Sequence, residues 1–538
     1  MCAAIAFDVV VIGSGFGGAI TACRLAERNY KVLILERGRR WIAPKYHAKH
    51  PNRTPYPRHP TDPWIWNNAC PEQLNGWADF RVYPGMIVIQ GAGVGGGSLI
   101  YANVSVEASR GVFATGWPKE LTFNELRPYY KAVAKSMDVQ RIPSKQWNPR
   151  THLVKEAATK AGYPAKFRAL ELAVRFDPEV AFTPPNFPDP DKTRTYKNAA
   201  GIEQGFCTHT GECDIGCPVE AKNTLALNYI PRAEKKKARV QALCLVTKVE
   251  PLPQGYRVSF DRLQKGQRVP DQVTSRIVIV AAGSMGSTEL LLKCRDYYKT
   301  LPNISSALGL NWSSNGDFLT PAFYPNRVIS PSKGPTISSA IDFHDKSQNG
   351  QSFWVQDGGL PHLLGNYFGP GIQQPFKNLR AKAIITSLQK SILQSYDPVS
   401  KIMPWFAQGV DAGDGRLSLT PSGIGEPGLN LSWNIKRSRP LFDEIARMHR
   451  FLSEKTDGMA MPAWPTNPNL ITPHPLGGCN MADDPANGVV DHKGEVFRYT
   501  NLFVADGAII PRPLGVNPSR TIGALAERIA KIIADDGR

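Results

Sequence analysis

Phe7-Asp-Val-Val-Val-Ile-Gly13-Ser-Gly15-Phe16-Gly17-Gly18 is a short apolar run that breaks into glycines. A patterned segment, Ala19 to Arg28, follows it, and then Lys31-Val-Leu-Ile-Leu-Glu36. The succession reads as strand, tight turn, helix and second strand. Gly13 permits the turn, Gly15 lets backbone come close to a pyrophosphate, and Gly18 lets the helix pack against the strand. The helix N-terminus offers free N–H groups and the positive end of a dipole to phosphates. Glu36 falls about 20 residues downstream, where a carboxylate accepts hydrogen bonds from a ribose diol. A plain glycine turn leaves Glu36 unexplained, so the stretch predicts a dinucleotide site. NAD and FAD share the pattern, and its place at the start of a long chain favours FAD.

Four further segments look like parts of the same nucleotide-binding domain. Gly91-Ala-Gly93-Val-Gly95-Gly96-Gly97-Ser98 is a second glycine-rich loop, and so many glycines imply close backbone approach to a flat or anionic ligand. Arg276-Ile-Val-Ile-Val-Ala-Ala-Gly283-Ser-Met-Gly-Ser-Thr-Glu-Leu-Leu is another strand running into a glycine turn and a helix. Asn501-Leu-Phe-Val-Ala-Asp506-Gly507 is a strand ending in an acid and a glycine. Asn517-Pro518-Ser-Arg-Thr-Ile-Gly-Ala-Leu-Ala-Glu-Arg-Ile-Ala reads as a helix capped by Asn517.

Between these lie stretches of different texture. Helical patterns and a Pro/Asp-rich loop, Pro184 to Asp191, occupy residues 113–204. Short strand-like runs, Arg416-Leu-Ser-Leu-Thr and Gly428-Leu-Asn-Leu-Ser-Trp433, and a helix from Pro440 to Ser453 occupy 312–464. The expected fold class is α/β (α+β overall). A Rossmann-like nucleotide domain is built from 1–112, 205–311 and 465–538, and a substrate domain of antiparallel sheet and helices is inserted as 113–204 and 312–464. Pro51 to Trp66, rich in proline and aromatics, is expected to form a loop or lid.

The 538 residues allow two to four domains and ample core, and 42% hydrophobic with 20% charged residues fits a globular protein. The 64 basic and 46 acidic residues leave a net +18, yet no zinc finger, RNA-binding motif or long basic block is present. A solvated basic surface is therefore expected, with no nucleic acid as partner. Peripheral contact with a membrane surface is compatible with it. No run approaches about 18 apolar residues, and no charged n-region precedes the first strand. The nine cysteines are odd in number and scattered, as in a reducing compartment, so a cytoplasmic protein is expected. Cys207-Thr-His209-Thr-Gly-Glu-Cys213-Asp-Ile-Gly-Cys217 gathers three cysteines and a histidine, but its spacing lacks the CxxC pair and fourth cysteine of a metal or iron–sulfur site. It reads as a loop of buried thiols or a disulfide, and no metal is expected.

Taken together, the N-terminal glycine motif with Glu36, the Gly91–Ser98 loop, Ala282-Gly283-Ser284-xx-Ser287, His474-Pro-Leu-Gly-Gly and Asn517-Pro518 resemble the glucose–methanol–choline (GMC) oxidoreductases. Within them the chain is most similar to the cholesterol oxidase branch. It shares Gly95-Gly-Gly-Ser-Leu with Val106-Glu107, His474-Pro-Leu-Gly-Gly-Cys479 and Gly515-Val-Asn517-Pro with Ala524-Leu-Ala-Glu-Arg528. The resemblance is dense over 1–40, 85–110, 275–317 and 470–535 and thin elsewhere. It implies FAD as cofactor, contacted by Gly13, Gly15, Phe16, Gly17, Gly18, Glu36, Gly91, Gly96, Gly97, Ser98, Asn103, Val246, Gly283, Asp506, Gly507, Asn517 and Pro518. It implies oxidation of an alcohol, most similar to a 3β-hydroxysteroid or another bulky apolar alcohol, with oxygen or a quinone as acceptor.

Residue chemistry agrees. Alcohol oxidation needs a group that removes the hydroxyl proton while hydride leaves the carbinol carbon, and an imidazole suits that task. His474 sits in a Pro/Gly-rich loop, Thr472-Pro-His-Pro-Leu-Gly-Gly, that can hold it rigidly. The resemblance adds Asn517, aimed at the alcohol oxygen. Three departures stand out. The isomerising glutamate of the family is matched by Gln356 in Phe353-Trp-Val-Gln356-Asp357, which puts steroid isomerisation in doubt unless Asp357 substitutes. The aromatic after Asn-Pro is Ser519, and the Cys207–Cys217 loop departs from the short oxidases. The alternatives are a long-chain alcohol oxidase or dehydrogenase and a flavin electron-transfer protein without alcohol oxidation.

Overall fold

The computed structural model describes residues 5–181, 188–361, 398–421, 425–461 and 470–538, so part of the expected Pro184–Asp191 loop lies outside the described residues. The chain folds into an α/β nucleotide domain joined to an antiparallel sheet with helices. Phe7–Ile12 is the centre of a seven-stranded sheet and is almost wholly apolar because both its faces are covered. It pairs parallel to Val32–Leu35 on one side and to the end of Gln267–Val280 on the other. Arg239–Gln241 and Leu502–Val504 extend this parallel part, while Tyr256–Gln264 and Cys244–Pro251 run back as an antiparallel meander.

The first helix runs Phe16–Glu27, beginning earlier than the apolar pattern because Gly17 and Gly18 belong to its first turn. Both glycines are needed by packing. A Cβ on Gly17 would stand 1.6 Å from the Ala505 carbonyl oxygen, and one on Gly18 2.1 Å from that of Gly13. Gly13 itself turns at φ +94°, in the left-handed region. The last helix, Ser519–Asp535, lies against the first and against Phe123–Ser136. Strand ends Ile12, Leu35, Val280 and Val504 are thus side by side, and Gly13, Glu36, Gly283 and Asp506 follow them within one to three residues. This is the edge of an open parallel sheet at which ligands bind.

A six-stranded antiparallel sheet follows the order Met459–Ala460, Phe318–Phe323, Ile402–Gly409, Phe353–Asp357, Ser339–Asp342, Phe167–Ala169. Helix Arg439–Lys455 places Leu441, Ile445, Met448 and Leu452 on one stripe and buries it with Leu153, Phe353 and Trp405. Each such side chain contributes about 1.5–3 kcal/mol on burial. A third sheet joins Leu470–Thr472 parallel to Met86–Gly91, and this pairing brings the Gly91 loop and the His474 loop to one place. Pro51–Trp66 buries Tyr56 with Trp41, Trp77 and Leu99, and Trp66 with Ala92 and Leu263.

Helix Phe123–Ser136 packs on the last helix, and the Arg416–Leu419/Leu429–Ser432 hairpin packs on Gly283–Leu292. We propose the five-segment division, 1–112, 205–311 and 465–538 against 113–204 and 312–464, with these two pieces as the contacts of the substrate-domain segments on the nucleotide domain. Among the described residues no helix is long and apolar enough to cross a membrane.

The contact at Gly17 gives a direct test. Gly17→Ala should lose about 1–3 kcal/mol or more through forced backbone shift. Gly97→Ala, where a Cβ meets nothing within 4 Å, should leave the thermal unfolding midpoint of the apoprotein unchanged.

Candidate active site

A cavity of about 1490 Å³ opens at the sheet edge and continues under the antiparallel sheet. At its nucleotide end the two glycine loops touch. Gly96 turns at φ +50°, and a Cβ on it would lie 2.6 Å from Gly15 Cα. Ser14 joins the loops: Gly95 N–H donates to Ser14 Oγ (3.0 Å), and Ser14 donates from N (3.0 Å) and from Oγ (2.5 Å) to Glu36 Oε2. Gly38 N–H takes Glu36 Oε1 at 2.9 Å. Burial pushes the Glu36 carboxyl up, and these hydrogen bonds oppose the shift. Glu36 therefore ties backbone together while its Oε1 keeps a lone pair for a diol.

Asp506 does the same at the third turn. Its Oδ2 accepts from Gly283 N (2.8 Å) and Ser287 Oγ (2.5 Å), and its Oδ1 accepts from Ala508 N (2.8 Å). Gly13, Gly15, Phe16, Gly17 and Glu36 line the cavity; so do Gly91, Gly96, Gly97 and Val246, and then Gly283, Asp506, Gly507, Asn517 and Pro518.

Three expected contacts are not at the wall. Gly18 is absorbed by the helix–strand contact with Gly13. Ser98 is buried, its Oγ donating to Gly95 O (2.7 Å) and accepting from Leu225 N (3.1 Å). Asn103 is buried between wall residues Ala102 and Val104, in a left-handed conformation, φ +67°.

At the other end stands His474. Its backbone N–H donates to Thr472 Oγ1 (3.0 Å), and its Nδ1 lies 3.0 Å from both oxygens of Asp317. Asp317 is 1% exposed and also accepts from the Thr472 hydroxyl (2.6 Å). Gln408 Nε2 is 2.9 Å from the same Nδ1, and Asn517 Nδ2 is 3.3 Å from His474 Nε2.

The expectation that Asn517 caps the last helix is overturned. That helix starts at Ser519 with Pro518 before it and no side-chain cap, because the Asn517 amide points instead to His474 and accepts from Gln356 Nε2 (3.1 Å). Tertiary contact wins over the local capping preference.

Gln356 and Asp357 are neighbours on a strand and so face opposite ways. Gln356 meets Asn517, while Asp357 is wholly buried against Ser338 and Ser339, whose N–H and hydroxyl groups it accepts, with the Arg150 guanidinium at 3.4 Å. Asp357 is thus a structural anion outside the cavity and not a free base. Sequence reading also missed Asp317, Gln408, Asp411 and Asp214. Asp411 accepts from Ser313 Oγ, Ser314 N and Oγ, Gly316 N and Gly413 N, which nails the turn that presents Asp317. The turn-forming Ser313-Ser314-Asn315-Gly316-Asp317 was the available signal.

Asp214 comes from the Cys207–Cys217 loop. It lines the cavity, and its Oδ1 is buried without a partner. Burial pushes its carboxyl up to about 6, opposed by Lys222, Thr336, Arg150 and His474. The loop is fixed by Lys222, whose ammonium donates to the carbonyls of Leu99 (2.7 Å), Tyr101 (3.3 Å) and Cys213 (2.6 Å). Cys207, Cys213 and Cys217 are free thiols, and no group of three or more metal-ligating side chains occurs among the described residues.

The chamber fits FAD. The first helix begins with no side-chain cap, so its N–H groups face the wall, and the nearest atom to a Cβ on Gly15 is 4.0 Å away. Fold and site define a dinucleotide-dependent oxidoreductase with an imidazole beside the substrate space. The GMC oxidoreductase N-terminal and C-terminal family models match residues 10–172 and 441–526. A cholesterol oxidase from Acinetobacter baumannii is 30% identical, covering 98% of this chain and 94% of its own, and one from Mycobacterium tuberculosis is 30% identical, covering 99% and 92%. In structure, pyridoxine 4-oxidase from Mesorbium loti superposes with TM-score 0.63 at 16% identity over 98% of this chain and 99% of that one. The chain belongs to the GMC oxidoreductases and is an FAD-dependent alcohol oxidoreductase.

Two outcomes follow from the geometry. Gly15→Ala has room and should keep the yellow cofactor, whereas Gly15→Leu fills the space at the helix N-terminus and should give colourless protein, read by visible absorbance. Asp214 is neutral below about pH 6 and anionic above it. Covering an anion with an apolar substrate costs desolvation, so KM for a neutral alcohol should rise as pH passes 6, and Asp214→Asn should remove that step.

Proposed function

We propose that the protein oxidises a sterol or another bulky apolar secondary alcohol to the ketone, with little or no shift of a steroid double bond. The observation that carries this reading is the convergence of His474 Nε2 and the Asn517 amide, 3.3 Å apart, at the wall of a chamber that Ile100, Ile337, Leu360 and Phe406 make apolar. Bound FAD supplies the hydride acceptor. His474 takes the hydroxyl proton at Nε2, and the imidazolium so formed is balanced by the Asp317 carboxylate against Nδ1. Asn517, held from behind by Gln356, presents N–H to the oxygen that is losing its proton. The apolar wall excludes water and takes the body of the substrate. The name carried by the two 30% relatives supports a sterol as the body in question. Oxygen or a quinone is the acceptor that closes the cycle, told apart by oxygen uptake during turnover.

The absence of isomerisation rests on two side chains. Moving a double bond from a β,γ- to an α,β-position needs one base to take a proton and return it. The Gln356 amide cannot do this, and Asp357 is enclosed by serines and Arg150.

His474→Ala should retain FAD and lose about 10²–10⁴-fold in turnover; a rate near that of the native enzyme, with any alcohol that bleaches the flavin, refutes the assignment. Asn517→Ala should cost less in turnover, and any fall in its thermal midpoint comes from the Gln356 amide left without its acceptor, since no cap is lost. With a Δ5-3β-hydroxysteroid the product should be the unconjugated ketone, without prompt conjugated-enone absorbance.

A further inference from the structure

His474 Nδ1 has two neighbours that call for opposite tautomers. Asp317 offers two carboxylate oxygens at 3.0 Å and requires a proton on Nδ1. Gln408 offers an amide nitrogen at 2.9 Å and requires a lone pair there. The Gln408 amide cannot turn over to relieve this: Trp354 Nε1–H can only donate, and it holds Gln408 Oε1 at 2.8 Å, which leaves the NH₂ toward the ring.

The magnitudes decide between them. A hydrogen bond to a charged group is roughly twice as strong as a neutral one. An imidazole lone pair facing a buried carboxylate would add repulsion to the difference. The other ring nitrogen agrees, because the Gln356 N–H holds Asn517 Oδ1 and so turns the Asn517 N–H toward Nε2, which must then accept. The carboxylate is itself rigid. Thr472 donates to it, the turn that carries it is fixed by Asp411, and Asn315 of that turn ties it to Val516 O, Leu514 N and Gly515 N beside Asn517.

We propose that Asp317 is the positioning residue of the reaction: it fixes His474 as the Nδ1–H tautomer, so that Nε2 faces the substrate space as a lone pair. This rests on the reading of His474 as the base but is tested apart from it. ¹⁵N NMR of histidine-labelled holoenzyme, with the His474 signals identified by their loss in His474→Gln, reads the tautomer without turnover. Native holoenzyme should show Nδ1 protonated. Asp317→Asn, isosteric and uncharged, should move the proton to Nε2, and Gln408→Leu should leave it on Nδ1. Turnover of Asp317→Asn should fall about 10²–10⁴-fold with KM little changed, and Asp317→Glu should recover part of the loss.

An Nε2–H signal for His474 in the native holoenzyme overturns the proposal whether or not the Asp317 and Gln408 variants fold. So does a spectrum unchanged by Asp317→Asn, or a tautomer that follows Gln408 instead. If the tautomer switches in Asp317→Asn and the rate does not change, the tautomer assignment holds, but Asp317 is not a positioning residue of the reaction and the role of His474 as base falls with it.

Discussion

The hydrogen bonds that the buried Glu36 carboxylate accepts from Ser14 and Gly38 are the constraint on which the nucleotide end depends. Parallel strands end with N–H groups that the sheet cannot pair, and the glycines that allow close approach also give the loops freedom to move. Glu36 removes that freedom by holding Ser14, and Ser14 holds Gly95 of the second loop. A buried carboxylate is expensive unless donors surround it, so the same bonds that satisfy the charge also fix the cradle. Asp506 repeats the device with Gly283, Ser287 and Ala508.

The reactive end is built the same way one layer further out. Asp411 gathers four donors from a single turn and a fifth from Gly413 of its own loop; that turn carries Asp317 and Asn315, and these reach His474 and the approach to Asn517. Asp357 with Arg150 anchors the strand that brings Gln356 to Asn517. The geometry around His474 and Asn517 is thus set by anions that do not line the chamber. Asp214 is different in kind: it faces the chamber with a buried oxygen that has no partner, and so brings a titration into the substrate space.

The nucleotide fold was legible because its signals are local. Strand, glycine turn, helix and acid lie within Phe7–Glu36, and each residue type is required by backbone geometry or by the ligand. The family motifs also picked out His474 and Asn517, whose side chains meet at the cavity wall. Local reading failed where a side chain had a choice between near and distant partners. Asn517 before Pro518 looks like a cap by every local rule, yet its amide is taken by Gln356 and His474, far away in sequence. Ser98, in a glycine-rich loop, has its hydroxyl taken by Gly95 O and Leu225 N. Asp357 next to two glycines looks like a turn acid, but strand alternation and Arg150 place it in the core.

The sequence by itself determined the α/β nucleotide domain, the class of cofactor and the imidazole, because these rest on glycine positions, on period and on short fixed spacings. Only the tertiary structure decided which groups surround that imidazole. Asp317, Gln408, Gln356 and Asn517 come from four separate segments, and their meeting depends on how the two sheets pack, which no spacing along the chain encodes.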